Sequence, residues 1–244
     1  MDLEAQKAGH IHPIPQAIRE INAIFYDMGF EFAEGPLIES EWYNFDALNV
    51  PRDHPARDAQ DTFFVKGRAE TVLRTHTSPV QVRYMEKKVK AGSMPPYRII
   101  VPGRVFRNEA TDATHEAQFF QLEGLAIDKK GKVTLAHLKG ALEEFFSRFF
   151  GAERQVRFRP GYFPFVEPGV EVDMLHRSSR GEKWLELMGA GMVHPHVLNA
   201  IGLDPQEYAG FAFGVGIERL IAIRHEVDDV RLFHNGDLRF VNQF

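Results

Sequence analysis

Two arginines stand where phosphate chemistry could use them: Arg107 in Phe106-Arg107-Asn108-Glu109, and Arg219 in Gly214-Val215-Gly216-Ile217-Glu218-Arg219. A guanidinium keeps its charge at any working pH and presents five donors in a planar fork, which suits phosphate oxygens better than a lysine ammonium does. Arg107 closes an apolar run and Arg219 falls in the first turn of a candidate helix, so ATP phosphates and an adenine ring could lie between them. The pair points to nucleotide chemistry.

Other motifs admit a plain structural reading beside the chemical one. Gly214 and Gly216 suggest a dinucleotide loop, but Arg219 occupies the third glycine position of G-x-G-x-x-G, and too little chain follows for a βαβ unit. What remains is a helix start that lets a ligand approach the backbone, or equally a tight packing turn. His115-Glu116 opens like a zinc-protease helix, yet Phe119 stands where the second histidine belongs, which sets zinc hydrolysis aside. His194 and His196 flank Pro195 without an evident third ligand and read as surface or packing residues. Phe163-Pro164-Phe165 places two rings on one side of an extended segment, which core filling explains in a chain with 21 phenylalanines. Thr75-His76-Thr77-Ser78-Pro79 gathers hydroxyls and an imidazole before a helix, as a capping run also would.

The elements that must position these groups follow from periodicity. Ile14, Ala17, Ile18, Ile21, Ile24, Phe25 and Met28 recur at three and four residues between Pro13 and Gly29, which predicts an amphipathic helix. Ser78 to Lys90 predicts a second helix, capped by its serine with Pro79 in the first turn. Tyr97 to Arg107 and Phe119 to Ile127 are apolar and branched and predict an antiparallel pair. The polar loop Ala110 to Gln118 between them is where catalytic side chains are expected. Leu135 to Phe150 predicts a helix with Leu138, Leu142, Phe145, Phe146 and Phe149 inward. Strands are expected over Arg154 to Arg159, Val170 to His176, Trp184 to Met188 and Phe211 to Gly216, and a last helix over Ile217 to His225. Without regular βαβ alternation, the mixture predicts an α+β fold with an antiparallel sheet.

Composition narrows the class. The chain has 244 residues, 44% hydrophobic and 26% charged, enough for one large domain with its own core. The absence of cysteine removes disulfides, thiolate zinc sites and cysteine nucleophiles, and favours the cytosol. Met1 to His10 carries no apolar or arginine-rich leader, and no apolar run approaches a membrane span, so a cytoplasmic location is expected. A formal charge of −5 argues against a broad basic surface for nucleic acid, so any such contact should be local or assisted.

The series Gly35-Pro36, Glu39-Ser40-Glu41, Asn44-Phe45-Asp46-Ala47-Leu48, His54-Pro55-Ala56-Arg57-Asp58, Thr75 to Pro79, Phe106 to Glu109, Gln121-Leu122-Glu123-Gly124, Tyr162 to Pro168, Gly189 to Pro195 and Gly210 to Leu220 resembles the catalytic domain of the phenylalanyl-tRNA synthetase α subunit. The resemblance runs from about His12 to Phe244. It takes in the three class II synthetase motifs in order: Gly35-Pro36 for the dimer-interface motif, Phe106 to Glu123 for the strand-loop-strand and Gly210 to Leu220 for the strand-helix. It implies a class II synthetase-type antiparallel β-sheet flanked by helices, with residues 1–244 forming a single catalytic domain.

It also implies roles. Arg107 would hold the α-phosphate and the amino-acid carboxylate, and Glu109 would meet the adenine amino group. Phe119 and Arg219 would sandwich the adenine ring beside the glycine-lined backbone of Gly214 and Gly216, and His115 would reach the terminal phosphates. Glu167 would be a ligand of Mg²⁺, a cation that prefers carboxylate oxygen. His76, Ser78, Gln81, Gln121 and Glu123 would surround the ammonium and carboxylate of phenylalanine. Phe163, Phe165, Val166, Ala212 and Gly214 would enclose its side chain, the two rings edge-on to the substrate ring and Ala212 limiting the depth.

Two departures qualify the resemblance. Nothing before His10 forms the long tRNA-reaching helical arm usual in α subunits, and Phe120 replaces a histidine common in the family. The chain is therefore expected to act as an isolated catalytic core with weak hold on tRNA(Phe), as a homodimer through its first motif or a heterotetramer with a β-type subunit. The main expectation is phenylalanine activation by ATP. Two others stand beside it: a synthetase-like binding module without turnover, and a subunit that becomes active only on assembly.

Overall fold

The computed structural model describes residues 11–58, 60–151, 155–178 and 181–244; Met1 to His10 and Arg154, the expected start of a strand, lie outside them. The chain opens with α1 (Pro13–Asp27), whose Ile14, Ala17, Ile21, Ile24 and Phe25 are buried along one stripe. His12 caps it, its Nδ1 accepting the Ile14 N–H at 3.2 Å. Gly29, at φ +80°, ends it in a backbone region open to glycine.

There follow β1 (Glu31–Phe32), β2 (Ile38–Ser40), α2 (Glu41–Asn44), a 3₁₀ turn over Asp46–Leu48, β3 (Thr71–Leu73), α3 (Ser78–Lys90), β4 (Tyr97–Phe106), β5 (Gln118–Lys129) and α4 (Leu135–Phe150). Next come β6 (Val156–Pro160), β7 (Val166–Ser178), β8 (Gly181–Val193), α5 (Pro195–Ala200), β9 (Tyr208–Gly216), α6 (Ile217–His225) and α7 (Leu238–Val241). Seven strands form one sheet in the order β1-β4-β5-β9-β8-β7-β6, and β2 pairs with β3 apart from it. The fold is α+β, as expected. The sheet is antiparallel throughout except for the β1–β4 edge, which is parallel. A two-residue strand is too short to show any period in sequence, so that edge was invisible there.

Each central strand divides its side chains between two cores. On β5, Leu122 and Ala126 face the cluster under α1, α4 and α6, while Leu125 and Ile127 face the cluster under α3 and α5. On β9, Phe211, Phe213 and Val215 fill the first core. The alternate positions Gly210, Ala212, Gly214 and Gly216 leave the other face of the strand nearly bare. The expected inward residues of α4 are all buried in the first core. The strand expected at Trp184 to Met188 is longer, because β8 runs on through Gly189 and Gly191. There a side chain would strike the Phe163 ring at 2.6 Å and the Pro168 carbonyl oxygen at 2.5 Å.

The first core is packed closely at Gly124, where a Cβ would stand 2.1 Å from Cζ of Phe213. Phe213 in turn stacks on Phe25 at 5.5 Å between ring centroids. Gly124→Ala is expected to destabilise the fold by about 1–3 kcal/mol, the usual cost of overpacking a filled core. Urea unfolding measures it, and an unchanged midpoint would mean that the Phe213 ring is free to move aside.

Candidate active site

The bare face of β9 is the floor of a cavity of about 430 Å³. Its polar end is built around Glu123. That carboxylate, on β5, is buried, and three donors from one short segment meet it: the Thr77 N–H at 2.9 Å, the Ser78 hydroxyl, and Gln81 Nε2 at 3.3 Å. Burial raises the Glu123 pKa above the ordinary carboxylate range, and the hydrogen bonds from Ser78 and Thr77 offset only part of that rise. Ser78 is therefore spent on Glu123. The cap position of α3 falls to Thr77, which makes no side-chain capping bond, contrary to the expectation of a serine cap. Gly214 closes this end from β9: a Cβ there would lie 3.0 Å from Cγ of Glu123 and 3.3 Å from Nε2 of Gln121. Gln121 Oε1 and His76 Nδ1 are enclosed without a protein partner. Enclosed polar atoms of that kind are normally satisfied, so the two mark where a ligand's polar groups would go.

His76 stands beside Phe165, ring centroids 6.3 Å apart. Burial, then the positive charges of Arg107 and Arg74, hold its pKa down at about 3, so it is neutral at working pH. Arg107 leaves the end of β4 with its Nε donating to the Thr75 carbonyl at 3.2 Å and its guanidinium 5.1 Å above the Phe119 ring. Thr75 is itself clamped by Asn44, whose Oδ1 accepts the Thr75 N–H at 3.2 Å and whose Nδ2 donates to the Thr75 hydroxyl at 3.0 Å. Arg107 is thus fixed through the backbone of the segment that also carries His76 and Ser78.

Of the expected site residues, His76, Ser78, Gln81, Arg107, Glu109, His115, Phe119, Gln121, Glu123, Phe163, Phe165, Val166, Ala212, Gly214, Gly216 and Arg219 all line this one cavity. Glu167 does not. Val166 points inward against Gly191, so its neighbour points out; the Glu167 side chain is 75% exposed, with its Oε2 3.3 Å from His194 Nε2. No group of three His, Asp or Glu residues that could hold a metal gathers among the described residues. The pair His194 and His196 is explained locally: His194 Nδ1 accepts the His196 N–H at 3.0 Å and caps α5.

Four supports were not read from the sequence. Glu218 is buried at the cavity's edge, where it accepts the Phe120 N–H at 2.8 Å and meets His234 Nε2 at 3.1 Å. It ties β5 to the start of α6, and so Phe119 to Arg219. Phe120 alternates away from the cavity and packs on the first core beneath Arg104. In the loop between β4 and β5, Asp112 holds His115: its carboxylate accepts the His115 N–H at 2.9 Å and meets Nδ1 at 3.0 Å, and the Thr114 N–H at 2.7 Å, followed by the His115 ring, pushes the Asp112 pKa down. Asn44 is the fourth. Thr114, Glu116 and Glu186 also line the cavity, and Leu48, Leu125, Val193 and Val197 form its apolar end. Leu48, Glu116 and Val193 fall within motif stretches, whereas nothing in the local spacing of Glu186, Leu125 and Val197 differs from ordinary strand and helix sequence.

A pH signature follows from His76. Its folded pKa of about 3 lies below the ~6.5 of an unfolded chain, so its contribution to stability is complete above pH ~6.5 and is lost as the pH falls toward 3. Between pH 7 and pH 5 the wild type should lose roughly 1–2 kcal/mol that His76→Asn does not lose. Paired urea titrations at the two pH values check this, and equal slopes would mean that His76 is solvated and free to protonate.

The family model for the tRNA synthetases class II core domain (F) matches residues 1–244. The phenylalanine–tRNA ligase alpha subunit of Dehalococcoides mccartyi is 53% identical over 249 residues, covering 97% of this chain and 70% of that protein. The alpha subunit of the same name from Caldicellulosiruptor saccharolyticus is 52% identical, covering 98% of this chain and 70% of that protein. That of Alkaliphilus metalliredigens is 51% identical, covering 99% and 71%. The antiparallel β4–β5 and β9–α6 units that carry the two arginines, the family match along the whole chain and these identities agree: the chain belongs to the class II tRNA synthetase core-domain family, among the phenylalanine–tRNA ligase alpha subunits.

Proposed function

We propose that this chain activates phenylalanine with ATP and passes the phenylalanyl group to tRNA(Phe). One observation carries the reading: a single cavity joins an apolar, aromatic end to an arginine-lined end through the unpartnered Gln121 and His76 atoms and the buried Glu123. An amino acid with an aromatic side chain has that sequence of chemistries, with apolar ring, ammonium and then carboxylate.

In the activation step a carboxylate oxygen of phenylalanine attacks the α-phosphorus of ATP. The bond to the bridging oxygen breaks and pyrophosphate leaves with the electron pair. No protein nucleophile is needed; the reaction depends on placing the two anions in line and offsetting their charge. Arg107, held at Thr75 and over Phe119, would bridge the carboxylate and the α-phosphate. Phe119 and Arg219 would flank the adenine ring, where a guanidinium gains from the ring face. Glu109 would receive the adenine amino group, and His115, steadied by Asp112, would meet the terminal phosphates. Glu123 and the Oε1 of Gln121 would accept from the ammonium, with Ser78, Gln81 and neutral His76 completing the surround. Phe163, Phe165 and Val166 would wall the ring and Ala212 would set the depth of the pocket.

Class II synthetases use ATP with Mg²⁺ in general, the ion screening phosphate charge. Glu167, exposed beside His194, would offer that ion a carboxylate oxygen. Partners follow from the same family. Leu37, Ile38, Trp42 and Phe64 expose apolar surface around β2 and β3, next to Gly35-Pro36, and we take this face as the place of assembly with a second copy or a β-type subunit. No described helix is long and apolar enough to cross a membrane.

Phenylalanine-dependent ATP–pyrophosphate exchange on the purified chain tests the function. Exchange that Arg107→Ala lowers by at least 10²-fold is expected, on the scale of losing a preorganised charge contact at the transition state. Phenylalanine binding without exchange would point instead to a binding module or to a subunit awaiting its partner. Ala212→Gly should admit para-substituted phenylalanines by adding depth below the ring. Activation of para-chlorophenylalanine by the variant and not by the wild type is the expected result, and no difference between them would take Ala212 off the pocket floor.

A further inference from the structure

The segment Phe163-Pro164-Phe165 must be held by something other than a sheet ladder. Pro164 has no N–H, so at the centre of the segment the backbone offers only an acceptor. The neighbouring carbonyls are taken on either side: Phe163 O accepts the Val166 N–H at 3.2 Å, and Phe165 O accepts the His194 N–H at 2.9 Å. The Pro164 carbonyl receives the side chain of Asn49, whose Nδ2 donates to it at 2.7 Å across 115 residues of sequence. A carbonyl can only accept, so the nitrogen of the Asn49 amide must be the atom that faces it.

Asn49 is itself rigidly placed. It ends the 3₁₀ turn Asp46–Leu48 in the left-handed region, at φ 60° and ψ 20°, with its N–H donating to the Asp46 carbonyl at 3.1 Å. Leu48, immediately before it, is buried and lines the cavity. On the other side of the tie, the Phe163 ring lies against Gly189 and 6.1 Å from the Phe165 ring, the planes inclined by 26°. The Asn49 amide therefore sits behind the aromatic wall and fixes the point from which both rings project.

We infer that Asn49 is a positioning residue for the aromatic end of the cavity, setting the placement of Phe163 and Phe165 through the Pro164 carbonyl. The inference rests on the reading of that end as the phenylalanine compartment. It competes with a simpler account, in which asparagine stands here only because it tolerates a positive φ. The two separate cleanly. Asn49→Gly keeps the backbone conformation and removes the donor. Asn49→Asp keeps shape and left-handed tolerance and turns an acceptor toward the Pro164 carbonyl.

Calorimetric titration of the whole chain with L-phenylalanine and with L-tyrosine, beside thermal unfolding of each variant, is the test. Asn49→Gly should bind phenylalanine about two- to tenfold more weakly, the value of one hydrogen bond, with a narrower phenylalanine-to-tyrosine ratio and little change in Tm. Asn49→Asp should be weakened at least as much. Wild-type affinity and an unchanged ratio in Asn49→Gly overturn the inference and leave the backbone account. Should the glycine variant unfold, the same result in Asn49→Asp overturns it equally. A wild-type chain that binds no phenylalanine refutes the reading of the cavity and the inference with it, whereas intact wild-type binding with indifferent variants refutes the inference alone.

Discussion

A carboxylate in a protein interior must be met by donors, and the burial of Glu123 organises everything around it. Its donors are not spread over the fold. They come from residues 77–81, so satisfying one charge docks the start of α3 against β5. The same short stretch carries His76 on the cavity wall and the Thr75 carbonyl that holds Arg107. Arg74, just upstream, is buried as well, with its guanidinium donating to the carbonyls of Arg104, Gly35 and Pro36. Its positive charge, after burial and Arg107, disfavours a second proton on His76. One buried ionic cluster thereby places the β2–β3 face, the amino-acid site and the first arginine relative to one another.

The hollow itself has the opposite cause, an absence of side chains. Ala212, Gly214 and Gly216 on β9, with Gly189 on β8, clear one face of the sheet while the alternate residues of β9 pack an aromatic core on the other. The cavity is thus a region where the second core was left unfilled. The aromatic pair Phe163 and Phe165 enters it from a loop, lying on backbone that glycine leaves open. Small residues that would read as weak points in a strand are what allow a ligand to approach the sheet.

Much of this was legible in the sequence. The long helices α1, α3, α4 and α6 show strong 3.6-residue periodicity, and β4, β5 and β9 are apolar runs bounded by turn residues. Their burial in the structure follows the same stripes. The residues gathered in the cavity were legible as motifs, and all but Glu167 of those expected there do line it. What escaped were supports whose meaning depends on distant partners. Ser78 looks like a helix cap and Glu218 like an exposed acid in a first turn, because in isolation serine and glutamate prefer those places. Each is instead drawn inward by a partner, Glu123 at 45 residues and the Phe120 N–H at 98. Asn49 and Asp112 carry no periodic signal, and Asn44, although it stands in a motif, shows there no sign of its partner Thr75.

The sequence by itself determined the element types, the two-faced patterning of the sheet and the chemical inventory of the site, since these rest on local backbone preference, side-chain period and residue chemistry. Only the tertiary structure decided which of those groups share a space and in what ionisation state. That His76 is neutral, that Glu167 turns away from the cavity and that Arg107 is fixed through Thr75 are consequences of burial and of contacts between segments far apart in the chain. Such contacts are set by how the sheet, with α3 and the 3₁₀ turn beside it, closes on itself. No spacing along the chain encodes the distance between them.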